Sequence, residues 1–224
     1  MSPQPKVLVF TASAKRPIYL RHCLLQMQQQ TYPLDHAVYL NSPEYKSPDT
    51  DPHNYMSLVD DIVITKGKKI HIGYGPTASH HKNHMAALTL VNWEDYDLFF
   101  KVDDDDVYRS TYIQDAVTHF QEHQWDFSGE ISHGHILKDS WNKTVHIGKI
   151  KQSKKNTVEK NFLAPAFSFS KKSMKMIMGI KNISGPEDVV WNKYLQEAKN
   201  IKTMVRPDLN FTYHIHDNNI SEPS

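Results

Sequence analysis

The sequence predicts a single α/β domain, in which a mostly parallel β-sheet is flanked by helices and carries a smaller antiparallel extension. In the first half, short apolar runs alternate with stretches of helical period, an order that is typical of a parallel sheet covered by helices. Between residues 125 and 148, several short runs are separated by glycines, which is typical of antiparallel strands. The 224 residues, of which 39% are hydrophobic, are enough to bury one full core.

The elements of the first half follow from apolar runs and from residues that begin or end helices. Arg16-Pro17 opens the first helix, because proline is tolerated at an early helical position, and a Thr-Tyr-Pro turn at residues 31–33 ends it. The predicted elements are strands at 6–11, 36–41, 61–65 and 97–102, helices at 16–30 and 77–91, and a loop rich in Pro, Ser, Asp and Asn at 42–57.

The second half is more mixed. Helical period predicts a helix at 110–123, and an apolar run at 166–170 predicts a strand that leads into a helix ending at Gly179. Gly185-Pro186 opens a further helix over 186–199, and residues 204–215 have extended character. No internal repeat is visible.

Charge and composition exclude several classes of function. The net charge is +1, so nothing indicates a nucleic-acid or membrane-surface partner. A single cysteine, Cys23, excludes an intramolecular disulfide and predicts a buried structural thiol in a reducing compartment. The sequence shows neither a signal peptide nor an apolar stretch that could span a membrane. We expect a soluble cytoplasmic protein or a catalytic module of a longer chain.

The most informative segment is the acidic run that follows the strand at 97–102. Four carboxylates, Asp103 to Asp106, repel one another unless a cation lies beside them, and strand ends in open α/β sheets are where ligands bind. Asp103 and Asp105 project to one side if strand geometry persists. The run predicts an oxygen-rich site for Mg²⁺ or Mn²⁺ that would in turn hold a phosphate. A solvated acidic turn is the alternative.

Two further segments fit a nucleotide site. The loop after the first strand carries Thr11, Ser13 and Arg16, small polar and cationic side chains that suit a nucleotide, although Ser13 could simply cap the helix. In the helix before the acidic strand, His80 and His84 stand at i, i+4 and could ligate a metal. The sequence favours the intervening Lys82 and Asn83 facing the nucleotide over a zinc site.

Two segments near the C-terminus could complete the site. Asp188 lies at a helix start, where the helix dipole stabilises a carboxylate; capping alone is the alternative. His214 and His216 share one face of the last strand, and one of them could complete a metal shell or serve only as a hydrogen-bond partner.

Taken together and in this order, the motifs resemble those of nucleotide-sugar-dependent glycosyltransferases of the GT-A fold, the large inverting group. The resemblance rests on KVLVFTAS at 6–13 with Arg16-Pro17, QTYP at 30–33, GPTASHHKN at 75–83, VDDDDV at 102–107 and PED at 186–188. The chain departs from the pattern at Lys82, where the group has arginine, and at Asn41-Ser42, where it has an acidic pair. The Gln-x-x-Arg-Trp element of processive synthases is absent from the sequence.

The resemblance implies a metal-dependent glycosyltransferase of polysaccharide biosynthesis, inverting and non-processive, that moves one sugar from a UDP- or GDP-linked donor to a hydroxyl of a carbohydrate acceptor. It implies Asp188 as catalytic base and a Mg²⁺ or Mn²⁺ ion at Asp105 with His214 or His216. It implies a donor site formed by Thr11, Ser13, Arg16, Lys82, Asn83, Asp103 and Asp104, and an acceptor wall formed by Phe167 and Trp191. Residues 1–109 would form the nucleotide-sugar-binding half, and residues 110–224 the acceptor and catalytic half.

Two other functions stay open from the residues. A nucleotidyltransferase acting on sugar phosphates shares the parallel sheet and the metal carboxylates, but it normally has a glycine-rich basic loop after the first strand, and residues 11–17 contain no glycine. A non-catalytic nucleotide- or carbohydrate-binding module would bind ligand without turnover and would not need Asp188.

Overall fold

The computed structural model describes most of the chain. It covers residues 3–14, 16–41, 61–75, 79–130, 135–140, 143–149, 162, 166–181, 183–206 and 211–215, with the backbone alone for 135–140, 143–149 and 211–215. Within these residues the strands are β1 Val7–Ser13, β2 Asp35–Asn41, β3 Lys69–Gly75, β4 Leu98–Lys101, β5 Val107–Tyr108, β6 Phe127–Glu130, β7 His135–Ser140, β8 Lys143–Lys149, β9 Ser168–Ser170, β10 Thr203–Arg206 and β11 Phe211–Ile215. The helices are α1 Pro17–Gln28, α2 His80–Leu88, α3 Tyr112–His123, α4 Lys171–Met178 and α5 Glu187–Glu197.

The main sheet has seven strands in the order β10-β6-β9-β4-β1-β2-β3. Its strand pairs are parallel except for those of β9, which runs antiparallel to both β4 and β6. A second sheet, of order β5-β11-β7-β8, is mostly antiparallel. The predicted parallel sheet with an antiparallel extension is therefore confirmed. The main sheet contains strands from both halves of the chain, and the division into a donor half and an acceptor half stays a prediction.

The core lies on both faces of the main sheet, because successive residues of a strand point to opposite faces. In β1, Val7 and Val9 pack with side chains of α1 and α3, whereas Leu8 and Phe10 pack with side chains of α2, α4 and α5. Burial on both faces explains why β1 and β4 read as continuous apolar runs instead of alternating ones. None of the helices in the described part of the chain has the length and apolar character needed to cross a bilayer.

The predicted third strand at 61–65 is wrong. Val63 and Ile64 are 84% and 54% exposed in a segment without regular secondary structure, and the strand that pairs with β2 is β3, which begins at Lys69. Gly73 lies within β3 because Leu90 packs where its side chain would be: an added Cβ would come within 2.4 Å of Leu90 Cδ2. The sequence analysis missed this strand because of the glycines and lysines in and around it. The predicted loop at 42–57 lies outside the described residues.

Candidate active site

The acidic run Asp103–Asp106, which we call the acidic turn, and the end of β1 lie side by side at the carboxyl edge of the main sheet. β1 and β4 are parallel neighbours, so the residues that follow each strand emerge at the same edge. Thr11 holds the two strands together: its hydroxyl donates to the Val102 carbonyl over 2.8 Å and contacts His36 Nε2 at 2.9 Å. Thr11 is fully buried and positions the acidic turn, and its role as a donor contact stays a prediction.

Asp104 is the buried centre of the turn. Ser13 Oγ donates to Asp104 Oδ2 over 2.5 Å, and Arg16 Nη2 lies 2.6 Å from Asp104 Oδ1. Burial raises the pKa of the Asp104 carboxyl to about 7, even though Arg16 and Ser13 act in the opposite direction. Ser13 is itself buried. Its hydroxyl donates to the Asp104 carboxylate and does not cap α1.

Arg16 clamps the acidic turn from the start of α1. Its second nitrogen, Nη1, lies 2.5 Å from Asp105 Oδ2, so one guanidinium binds two neighbouring carboxylates. The planar fork of arginine suits this geometry, and Pro17 at the first helical position fixes the backbone just after it. The sequence predicted that these residues would share a site, and the structure brings them together.

Asp103 faces a buried lysine that the sequence analysis did not single out. Lys101 Nζ donates to Asp103 Oδ1 over 2.6 Å, and the Lys101 side chain is 3% exposed. Burial lowers the pKa of Lys101, but the carboxylates of Asp103, Glu187 and Asp188 outweigh it and the pKa is raised. The ammonium group therefore stays charged and links the acidic turn to the start of α5. In the sequence, the signal that could have pointed to Lys101 was its position as an isolated lysine within an apolar run.

Glu187 was noted only as part of the motif that opens α5, yet it joins α5 to α2. His84 Nδ1 lies 2.7 Å from Glu187 Oε1, and His80 Nδ1 lies 3.8 Å from the same oxygen. Burial raises the pKa of Glu187, but the two histidines and Lys101 outweigh it and the pKa is lowered. Within the described residues, His80, His84 and Glu187 are the group of three whose potential ligand atoms converge, all within 4.8 Å of one another.

Asp188 is half-buried in the first turn of α5, which has no side-chain cap at Pro186. It lines a cavity of about 460 Å³ together with polar side chains further along the helix, among them Asn192 and Gln196. Its carboxylate also acts on Lys101. The predicted base therefore lies beside this cavity, and its charge is felt by the lysine that pairs with Asp103.

Lys82 and Asn83 lie in the first turn of α2, where Ser79 caps the helix by accepting from the Lys82 amide. Lys82 is exposed, whereas Asn83 is buried and its Oδ1 has no hydrogen-bond partner among the described residues. Both remain predictions as donor contacts.

The two residues of the predicted acceptor wall lie in the core, and their role as an acceptor wall stays a prediction. Phe167 and Trp191 are fully buried among aromatic side chains, and Trp191 Nε1 donates to His81 Nδ1 over 3.2 Å. Neither ring has exposed surface in this structure, and α5 packs Trp191 against the sheet. The sequence showed that both were aromatic near the motif, but not which way they faced.

The predicted C-terminal histidines stay predictions. His214 lies in β11, whose backbone pairs with β5 directly after the acidic turn, through Thr212 opposite Val107. The side chain of His214 and the whole of His216 lie outside what the structure describes.

The acidic turn fits a hard divalent ion by chemistry, since its ligands are all carboxylate oxygens. Within the described residues, however, Asp103, Asp104 and Asp105 do not bring three ligand atoms together. The cations that face them are Lys101, at Asp103, and Arg16, at Asp104 and Asp105. A Mg²⁺ or Mn²⁺ ion at the turn would therefore need further oxygens, such as those of a bound diphosphate.

Comparison with solved structures identifies the fold. The chain is similar to residues 1–349 of TarS from S. aureus in complex with UDP-GlcNAc, with a TM-score of 0.65 and 15% identity over 96% of this chain and 60% of that one. It is also similar to the mannosyltransferase PcManGT from Pyrobaculum calidifontis in complex with GDP-Man and Mn²⁺, with a TM-score of 0.68 and 10% identity over 97% of this chain and 59% of that one. No protein-family model and no curated protein matches the sequence. The GT-A fold that the sequence predicted is confirmed, and the chain spans about 60% of the length of these two chains.

Proposed function

We propose that this chain is a glycosyltransferase domain that moves one sugar from a nucleoside diphosphate sugar to a hydroxyl of a carbohydrate acceptor. One observation carries the proposal: Arg16 clamps the acidic turn at the carboxyl edge of the sheet, and Lys101, which is paired with Asp103 there, also feels the negative charge of Asp188. The likeness to structures that hold UDP-GlcNAc and GDP-Man supports a UDP- or GDP-linked donor at this edge.

The donor would lie over the acidic turn. Arg16 and Ser13 keep the carboxylates of Asp104 and Asp105 in place, while Lys82 and the amide of Asn83 reach the nucleotide from α2. Asp103 and Asp105, with His214 or His216, would hold a Mg²⁺ or Mn²⁺ ion, the ion present in the PcManGT complex being Mn²⁺. When bound, such an ion neutralises charge on the diphosphate leaving group.

Asp188 would act as general base. A hydroxyl is a weak nucleophile at neutral pH, so its attack on the anomeric carbon requires a group that takes its proton as the new bond forms and the bond to the diphosphate breaks. Asp188 is held in the first turn of α5, and it borders a cavity that is also lined by Asn192 and Gln196, whose amides could bind sugar hydroxyls. Direct attack from the side opposite the diphosphate gives inversion.

The first experiment screens donors. Purified protein is titrated with UDP- and GDP-sugars, with and without Mn²⁺, by calorimetry and thermal shift, and the products are then separated after incubation with oligosaccharide acceptors. We expect one nucleotide to bind more tightly with Mn²⁺ than without it. Binding without transfer to any acceptor would favour the non-catalytic module, and pyrophosphate release from a sugar phosphate and a nucleoside triphosphate would favour the nucleotidyltransferase.

The second experiment tests the base. Asp188→Asn keeps the shape of the side chain but accepts no proton, so transfer should fall by roughly 10²–10⁴ while donor affinity stays near wild type. Glu94→Gln, at an exposed carboxylate within the short 3₁₀ turn Trp93–Asp95, is the matched control and should transfer at the wild-type rate. Equal losses of donor binding and transfer in Asp188→Asn would make Asp188 a donor contact, and retention of anomeric configuration would reject inversion.

A further inference from the structure

We propose that His80, His84 and Glu187 form a binding site for one zinc-like transition-metal ion that joins α2 to α5, separate from the ion proposed at the acidic turn. Two imidazoles and a carboxylate are a ligand set that zinc and cobalt accept readily, with a fourth position left for water. Mg²⁺, by contrast, prefers oxygen ligands alone. The inference does not rest on the proposed glycosyltransferase activity.

The spacing of the three ligands fits such an ion. Residues at i and i+4 project from one face of a helix, so His80 and His84 both reach Glu187 at the start of α5. Metal–nitrogen and metal–oxygen bonds of about 2 Å in a tetrahedral site place ligand atoms roughly 3.3 Å apart. The distances from Glu187 Oε1 to Nδ1 of His84 and of His80, 2.7 and 3.8 Å, lie on either side of that value.

The buried polar atoms of His84 and Glu187 give an independent reason to propose a metal ion here. His84 is fully buried and Glu187 nearly so. Yet neither ring nitrogen of His84 and neither oxygen of Glu187 has a hydrogen-bond partner of good geometry among the described residues. Buried polar atoms without partners cost roughly 1–3 kcal/mol each. The short contact from His84 to Glu187 is thus not directed as a hydrogen bond, whereas an ion placed to one side of it would take a lone pair from each.

The surroundings hold the ligands in place and leave a route for the ion. The ring of His84 packs edge-on against Phe10 and Trp191, with centroid distances of 5.7 and 6.0 Å, which fixes its orientation. His80 is half-exposed, so an ion can arrive from solvent and keep a water ligand on that side. Binding would fix the position of Glu187, and with it the adjacent Asp188.

The test is metal binding by the tag-free protein, measured without donor or acceptor. After chelator treatment and dialysis, Co²⁺ titration followed by visible absorption, and zinc content by elemental analysis, should give one ion per chain, and Zn²⁺ should raise the melting temperature. His80→Ala and Glu187→Gln should each weaken binding by at least about tenfold, in line with the loss of a ligand. Because His80 is half-exposed, its variant keeps the test valid should Glu187→Gln fail to fold.

Two controls make the outcome decisive. His119 and His123 form the other i, i+4 histidine pair of the described helices with close rings, 4.4 Å between centroids, and His123→Ala should leave the tight ion in place. Asp105→Asn should also leave it in place, because the acidic turn is a different site. The proposal is overturned if the wild type binds no stoichiometric ion, if His80→Ala binds as well as wild type, or if Asp105→Asn or His123→Ala removes the ion.

Discussion

Replacing Arg16 by glutamine should destabilise the protein, because the buried carboxylate of Asp104 would lose the cation that it pairs with. Arg16 contacts Asp104 at 2.6 Å and Asp105 at 2.5 Å, and the Asp104 side chain has no exposed surface. Removing one partner of a buried ion pair typically costs about 3–5 kcal/mol, because the remaining charge stays in the interior. We expect a loss of that size in the free energy of unfolding at pH 8.5.

The loss of stability in Arg16→Gln should depend on pH, and the raised pKa of Asp104 sets the direction of that dependence. Its pKa is raised to about 7 in the folded protein from an ordinary value of 3.8, so the folded state holds the proton more tightly than the unfolded state. The contribution of Asp104 to the free energy of unfolding is therefore greatest below about pH 4. It decreases as pH rises through about 7, by at most about 4 kcal/mol. Without Arg16 the pKa rises further. At pH 5.5 the carboxyl is mostly protonated in both proteins, so the deficit of Arg16→Gln should fall below half its value at pH 8.5.

Urea denaturation followed by tryptophan fluorescence measures these free energies at both pH values. Asp104→Asn in the Arg16→Gln background should recover most of the loss, since the amide carries no charge, and the coupling between the two positions is read from the double-mutant cycle. Arg109→Gln, at an exposed arginine, is the control and should change stability by less than about 0.5 kcal/mol. An equal deficit at both pH values, or no recovery in the double variant, would refute the reasoning.

Three further predictions concern buried groups around the site. Thr11→Val removes the hydroxyl that donates to the Val102 carbonyl, so urea denaturation should show a loss of roughly 1–3 kcal/mol; a loss below about 0.5 kcal/mol would mean that this bond contributes little. Lys101→Met removes the cation facing Asp103 and should cost about 3–5 kcal/mol at pH 7 by the same measurement, whereas an unchanged stability would show that the pair contributes no net energy. Burial raises the pKa of the Cys23 thiol, so a thiol reagent should modify the native protein only as fast as it opens and should react at once in urea; rapid reaction in native buffer would contradict the buried position.

The local elements were predictable because their signals lie between neighbours in sequence. Apolar runs gave β1, β2 and β4, and helix-opening residues gave α1 and α5, each to within a few residues. The third strand was not predictable in this way. The exposed loop at 61–65 is richer in β-branched residues than β3, whose glycines make sense only once Leu90 packs over Gly73.

By itself the sequence determined the fold class and the place of the acidic turn, since both depend on the order of elements and on a charge run after a buried strand. Only the tertiary structure decided which charges meet. Arg16 and Asp105 are 89 positions apart in the sequence, and they pair because parallel strands bring distant segments to one edge of the sheet. The same packing turned Trp191 inward against the sheet and brought Glu187 to His84, because a helix face is chosen by what it covers and not by the residues beside it in sequence.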